Sequence, residues 1–169
     1  VREDGSPANR TIVFRGFLDT LSARGNQLTF ISDRRSEKIQ QIQQNENVEA
    51  CWYFTKTREQ FRISGSMSVI SADESVPELA SARVQAWQKI SDNARQQFTW
   101  PQPKAPRLKE AGFEAPLPSD QKPLAEFCLL LLNPQRIDYL NLRGEPQNRM
   151  IYLEDSSVDN GWSVSLVNP

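Results

Sequence analysis

Residues 10–38 read RTIVFRGFLDTLSARGNQLTFISDRRSEK, and the way this stretch divides decides the fold. Residues 10–18 are dense in β-branched and aromatic side chains, which suit a pleated, half-buried strand. Residues 21–26 include Ser, Gly and Asn, a turn composition. The run QLTFIS at 27–32 is a second strand, so the two halves predict a hairpin. Ser36 can cap a helix running to about residue 44, with Ile39 and Ile42 on its inner face.

Working outward, VEACWYFT at 48–55 predicts a third strand and residues 60–70 a fourth, with Gly65 inside it at a bulge or close approach. Ser71-Ala-Asp-Glu74 fits a capping box, which predicts a helix from there to about residue 90. Pro77 would fall in its first turn, where proline is tolerated. Arg83 is the one charge on a side otherwise made of Leu79, Ala86, Trp87 and Ile90. The proline-rich segment 101–123 excludes regular structure and predicts a long loop or flap. Residues 125–133, 136–142, 149–154 and 162–167 are all strand-like. About eight strands and two helices predict a mainly β fold, an antiparallel barrel in one domain spanning residues 1–169.

The composition is that of an ordinary soluble chain: 169 residues, 38% hydrophobic and 24% charged. A net charge of -1 gives no general attraction to nucleic acid or anionic lipid, so any anion site must be local. The longest apolar run, residues 127–132, suits a buried strand and is far too short to cross a bilayer. Cys51 and Cys128 both sit in apolar runs; reduced core thiols are the expectation, and with them a cytoplasmic location. Histidine is absent, which removes the commonest general base, the usual hydrolase triads and most zinc sites. No metal is expected, and reactive chemistry would belong to a cofactor.

Four features can carry a ligand, each with a plainer alternative. Arg10 and Arg15 lie five residues apart, on opposite faces of a regular strand; they are two ligand contacts or two solvated arginines. Ser32-Asp-Arg-Arg-Ser-Glu-Lys38 combines hydroxyls, cations and a helix start, a phosphate cradle or a charged capping turn. Gln60 offers a donor and an acceptor, as the heteroatom edge of a flavin needs, or simply ends a strand. Arg95 and Trp100, in RQQFTW, can hold a planar anionic substrate or belong to the core.

In order and spacing, RTIVFRGF at 10–17, FISDRRSEK at 30–38 and EQFRISG at 59–65 together resemble the pyridoxamine 5'-phosphate oxidase-related FMN-binding family, and its uncharacterised branch more than the true oxidases. The resemblance implies an FMN-binding split barrel, FMN (flavin mononucleotide) as cofactor and a homodimer with FMN at the interface. It implies that Arg10 and Arg15 face FMN, Arg15 standing where the oxidases carry lysine. Ser32, Ser36 and Lys38 match the phosphate turn, Glu37 replaces an arginine there, and Arg34 or Arg35 would restore the charge. Gln60 matches a flavin-ring contact, Arg149 an arginine given to the FMN of the second subunit, and Leu140 stands in place of a flavin-packing tryptophan. The Arg-x-His pair that grips the vitamin in the oxidases is missing from residues 144–148, and only Arg95 stands as a counterpart to the groups holding the substrate phosphate. An FMN-dependent oxidoreductase of another substrate is therefore expected, with a non-catalytic flavin module as the alternative and a true oxidase behind both.

Overall fold

The computed structural model describes residues 1–18 and 25–169; the turn expected at 21–26 lies largely outside them. The elements are β1 (Leu28–Asp33), α1 (Glu37–Gln44), β2 (Asn47–Phe54), β3 (Glu59–Ile70), α2 (Pro77–Gln88), α3 (Asp92–Gln96), β4 (Phe127–Asn141), β5 (Asn148–Glu154) and β6 (Trp162–Val167). The sheet order is β2-β3-β4-β5-β6, with β1 paired to β4 off that path, and the β2–β3, β4–β5 and β5–β6 pairs are antiparallel. The fold is thus the expected mainly antiparallel β architecture, but with six strands and three α-helices among the described residues where about eight strands and two helices were expected.

Two compact units share the chain: Val1–Glu46 with Ser68–Leu131, and Asn47–Met67 with Leu132–Pro169. In the first, every residue of Phe127–Leu131 in β4 is buried, a continuous apolar run covered on both faces. Leu129 and Leu131 cluster with Leu18, Ile70 and Ala82. Trp87, Ile90, Phe98 and Phe127 form a second cluster, in which three rings meet edge to face at 5.0–5.7 Å. Arg83, buried on α2, donates to the carbonyls of Phe127 (2.9 Å) and Leu124 (2.6 Å). The lone charge on an apolar helix face satisfies backbone acceptors that would otherwise be orphaned.

In the second unit, β3 and β4 approach so closely that a Cβ on Gly65 would lie 1.9 Å from the Asn133 carbonyl oxygen. Only glycine fits there. Asp138 on β4 is buried and receives both Nε (2.9 Å) and Nη2 (2.6 Å) of Arg149 from β5. That pair holds its carboxyl below the usual 3.8.

Several expectations are corrected. Residues 10–16 form no strand: Gly16 has φ +113, which breaks the side-chain alternation. What remains of the hairpin is one bridge, Phe17 to Leu28, with Arg15 N–H to Thr29 O (2.9 Å) and Thr29 N–H to Gly16 O (2.8 Å). The Ser71–Glu74 box is a turn in which the Glu74 carboxylate accepts from the Val76 N–H at 2.8 Å. Helix α2 begins at Pro77, whose fixed φ and missing N–H suit the first helical position. It stops at Gln88, and α3 starts afresh behind Ser91, whose hydroxyl accepts from Ala94 N–H at 3.3 Å. The two strands expected at 125–133 and 136–142 are one, β4. Cys51 is exposed and Cys128 buried, both free. Cys51 alternates along β2 with the half-buried Ala50 and Trp52, whereas burial pushes the Cys128 thiol up to about 11.

Candidate cofactor-binding site

The turn from β1 into α1 builds the site from local sequence. Asp33 accepts the Arg35 N–H at 2.7 Å, an Asx turn that reverses the chain at the end of the strand. Ser32, buried at the end of β1, and Ser36, at the N-cap of α1, then both face Lys38. Its ammonium donates to the two hydroxyls at 3.0 and 2.9 Å. Ser36 makes no side-chain cap to its own helix. Among the described residues no carboxylate lies within ion-pair distance of Lys38. Burial, and after it the nearby Arg10, lowers the Lys38 pKa. A half-buried cation held by hydroxyls carries excess positive charge that an anion would stabilise, and each hydroxyl can turn to donate to that anion. The residues present therefore fit a phosphate.

A cavity of about 660 Å³ opens beside this turn, lined by Arg15, Ser32, Lys38 and Trp100 among others. Its size falls within the range of small-molecule sites. Ser36 joins through Lys38, and Arg10 lies against α1, its Nη2 donating to Gln41 at 2.7 Å. Arg15 is exposed, its side chain on the cavity wall.

Three expected ligand residues have other work. Arg35 donates from Nε and Nη2 to Asp33, from Nη2 to the Phe98 carbonyl (3.2 Å) and from Nη1 to the Trp100 carbonyl (2.9 Å). It braces the segment leading to Trp100 against the turn, with its guanidinium already taken up by a carboxylate. Arg34 pairs with Asp73 at 2.9 Å, so neither restores the charge lost at Glu37. Arg95 is buried, donating to the carbonyls of Trp87 and Ile90 at the end of α2 and to Asp92. It closes a helix and does not line the cavity. Gln60 and Arg149 belong to the second unit: Gln60 pairs in register with Tyr53, and Arg149 keeps one guanidinium edge on Asp138. The sequence reading missed Asp33, the Asx anchor, although an Asp two residues ahead of its partner was a visible signal. It also missed the cavity wall formed by residues 101–108 with Phe113, which nothing in a proline-rich segment announces.

Among the described residues no cluster of His, Cys, Asp or Glu could hold a metal ion, and no helix is long and apolar enough to cross a membrane.

Residues 1–71 match the family model described as pyridoxamine 5'-phosphate oxidase, FMN-binding domain. The chain is 34% identical over 170 residues to pyridoxine/pyridoxamine 5'-phosphate oxidase 2 of Arabidopsis thaliana, covering 98% of this chain and 82% of that protein. It is 38% identical over 72 residues to pyridoxine/pyridoxamine 5'-phosphate oxidase of Psychrobacter cryohalolentis, covering 43% of this chain and only 31% of that one. Among solved structures, a pyridoxamine 5'-phosphate oxidase-related, FMN binding protein of Nostoc punctiforme superposes with a TM-score of 0.91 at 50% identity, over all of this chain and 84% of that one. PhzG of Burkholderia lata, solved with tetrahydrophenazine-1-carboxylic acid, shares the fold at a TM-score of 0.75 and 15% identity, over all of this chain and 79% of its own.

Proposed function

The chain belongs to the pyridoxamine 5'-phosphate oxidase-related, FMN-binding family, and from that premise we propose that it is an FMN-dependent oxidoreductase acting on a substrate other than pyridoxamine 5'-phosphate. FMN is the cofactor and supplies hydride-accepting and hydride-donating chemistry when bound.

The observation that carries the reading is Lys38 held between two hydroxyls on the wall of a cavity of about 660 Å³. Lys38, Ser32 and Ser36 grip the FMN phosphate, Arg15 meets it from the cavity wall, and Arg10 adds positive charge beside α1. Asp33 and Arg35 hold that turn in place. Gln60 presents a donor and an acceptor to the flavin ring. The protein works as a homodimer in which Arg149 of each chain serves the FMN of the other, with Asp138 keeping the guanidinium oriented. Two free thiols suit a cytoplasmic location.

Two features argue against the vitamin as substrate. Residues 144–148 lack the Arg-x-His pair, and Arg95, the one counterpart for its phosphate, has its guanidinium engaged at the end of α2. A site without those polar partners rejects a ligand that needs them. The test is to load the purified protein with FMN, supply pyridoxamine 5'-phosphate in air, and then try NAD(P)H anaerobically. Retained flavin, no pyridoxal 5'-phosphate and a flavin that NAD(P)H reduces and air reoxidises are expected. Rapid pyridoxal phosphate formation would make it a true oxidase, and a flavin inert to every donor would make it a binding module.

A further inference from the structure

The cavity beside Lys38 has a second cationic group with no assigned partner. Arg107 places its guanidinium carbon 4.4 Å from the centroid of the Phe113 ring. Phe113 in turn meets Trp100 edge on at 5.9 Å, and all three line the cavity that Arg15, Ser32 and Lys38 line. Trp100 keeps 39% of its surface exposed although its backbone is pinned by Arg35 at 2.9 Å. The indole is thus presented by a fixed segment.

Arg107 differs from the charged groups around it in having no ion-pair partner among the described residues. Lys104, on the same wall, is paired with Glu37 at 2.5 Å, and Asp33 is paired with Arg35 at 2.6 Å. The lining charges left over are Arg15, Lys38 and Arg107, all positive. FMN brings one phosphate, which Lys38 and its hydroxyls receive. A guanidinium lying on an aromatic face keeps its in-plane N–H edge open for bidentate binding of an oxyanion, and the Trp100 indole, set edge to face with Phe113, offers an apolar ring surface beside it.

Resting on the flavin reading above, the geometry points to a substrate subsite on the proline-rich segment, in which Arg107, held on the Phe113 ring, receives the anionic group of a planar substrate whose ring packs on Trp100. The substrate class is a flat ring bearing a carboxylate or a phosphate, without the further polar groups for which the vitamin needs the missing Arg-x-His pair.

The test titrates the FMN-loaded protein with benzoate, phenyl phosphate and, as the uncharged control, benzamide, reading flavin absorption and tryptophan fluorescence. The wild type should bind both anions more tightly than benzamide, and the tighter of the two identifies carboxylate or phosphate. Arg107→Ala should weaken both by about tenfold or more while FMN affinity stays within about twofold. Phe113→Leu, which keeps apolar volume but removes the ring under the guanidinium, should weaken them by roughly threefold. Anion affinities unchanged in Arg107→Ala would overturn the subsite. So would FMN affinity falling in step with them, which would place Arg107 on the cofactor. Wild-type protein that takes up no FMN would overturn the flavin reading instead, and tryptophan fluorescence without FMN would still decide the role of Arg107.

Discussion

Replacing Lys38 by methionine should separate the cost of a buried charge from its use. The methionine keeps an apolar stem of similar length and removes the ammonium that donates to Ser32 and Ser36. A hydrogen bond to a charged group contributes about 1.5–3 kcal/mol, so FMN affinity should fall roughly 10- to 150-fold. The stability of the apo protein should change little. Burial lowers the Lys38 pKa below its ordinary 10.5, so the folded state binds this proton less readily than the unfolded chain. In the apo protein the group is therefore a burden at neutral pH, relieved as pH rises through the folded pKa towards 10.5. Lys38→Met should accordingly keep the apo stability within about 1 kcal/mol of wild type, the lost hydroxyl contacts being offset by relief of desolvation. FMN fluorescence quenching gives the affinity, and urea unfolding of the apo protein gives the stability. Unchanged FMN affinity, or a variant that loses its fold and its flavin together, would refute the reasoning.

Three further outcomes follow from the packing. Gly65→Ala would put a methyl 1.9 Å from the Asn133 carbonyl oxygen, a backbone atom that cannot swing aside; about 3 kcal/mol of stability should go, a fall of roughly 6–12 °C in Tm by calorimetry. Arg83→Met would leave the carbonyls of Leu124 and Phe127 without their buried donor, costing about 2–4 kcal/mol in urea unfolding with FMN affinity intact. Asp138→Asn should cost about 2 kcal/mol at pH 7. Because Arg149 holds the Asp138 carboxyl below 3.8, wild type has this advantage above that pH and loses it as pH falls through the lower folded value. Urea midpoints of wild type and variant should therefore differ at pH 7 and converge in acid.

Much of this architecture was legible because it is written locally. The apolar run of β4 and the hydroxyl-and-cation turn after β1 each lie within a few residues, and so Ser32, Ser36 and Lys38 came together as expected. The failures share a cause. Residues 10–18 have strand propensity throughout, yet the backbone at Gly16 takes a positive φ that propensity does not encode. Ser71 and Glu74 have the spacing of a capping box, but Pro77 offers a better first helical residue three positions on. Pro134 reads as a break and is instead absorbed into β4. Arg35 and Arg95 look like ligand arginines because charge is visible in a sequence and carbonyl partners are not. The Arg35 carbonyl acceptors lie 63 and 65 residues away, and two of the Arg95 acceptors are backbone carbonyls with no signature in the sequence. The wall built by 101–108 and Phe113 was hidden for the same reason, since a proline-rich segment shows its lack of strand and α-helix and nothing of the 3-10 turn at Glu110–Phe113 or of what it covers.

The phosphate grip is tested by comparing FMN with riboflavin, which has the same ring and no phosphate, in a fluorescence titration of the purified wild-type chain. If the Ser32–Ser36–Lys38 turn grips the phosphate, FMN should bind about 100-fold more tightly or better, as several charge-assisted hydrogen bonds require. Equal affinity for the two, or none for either, would contradict the account.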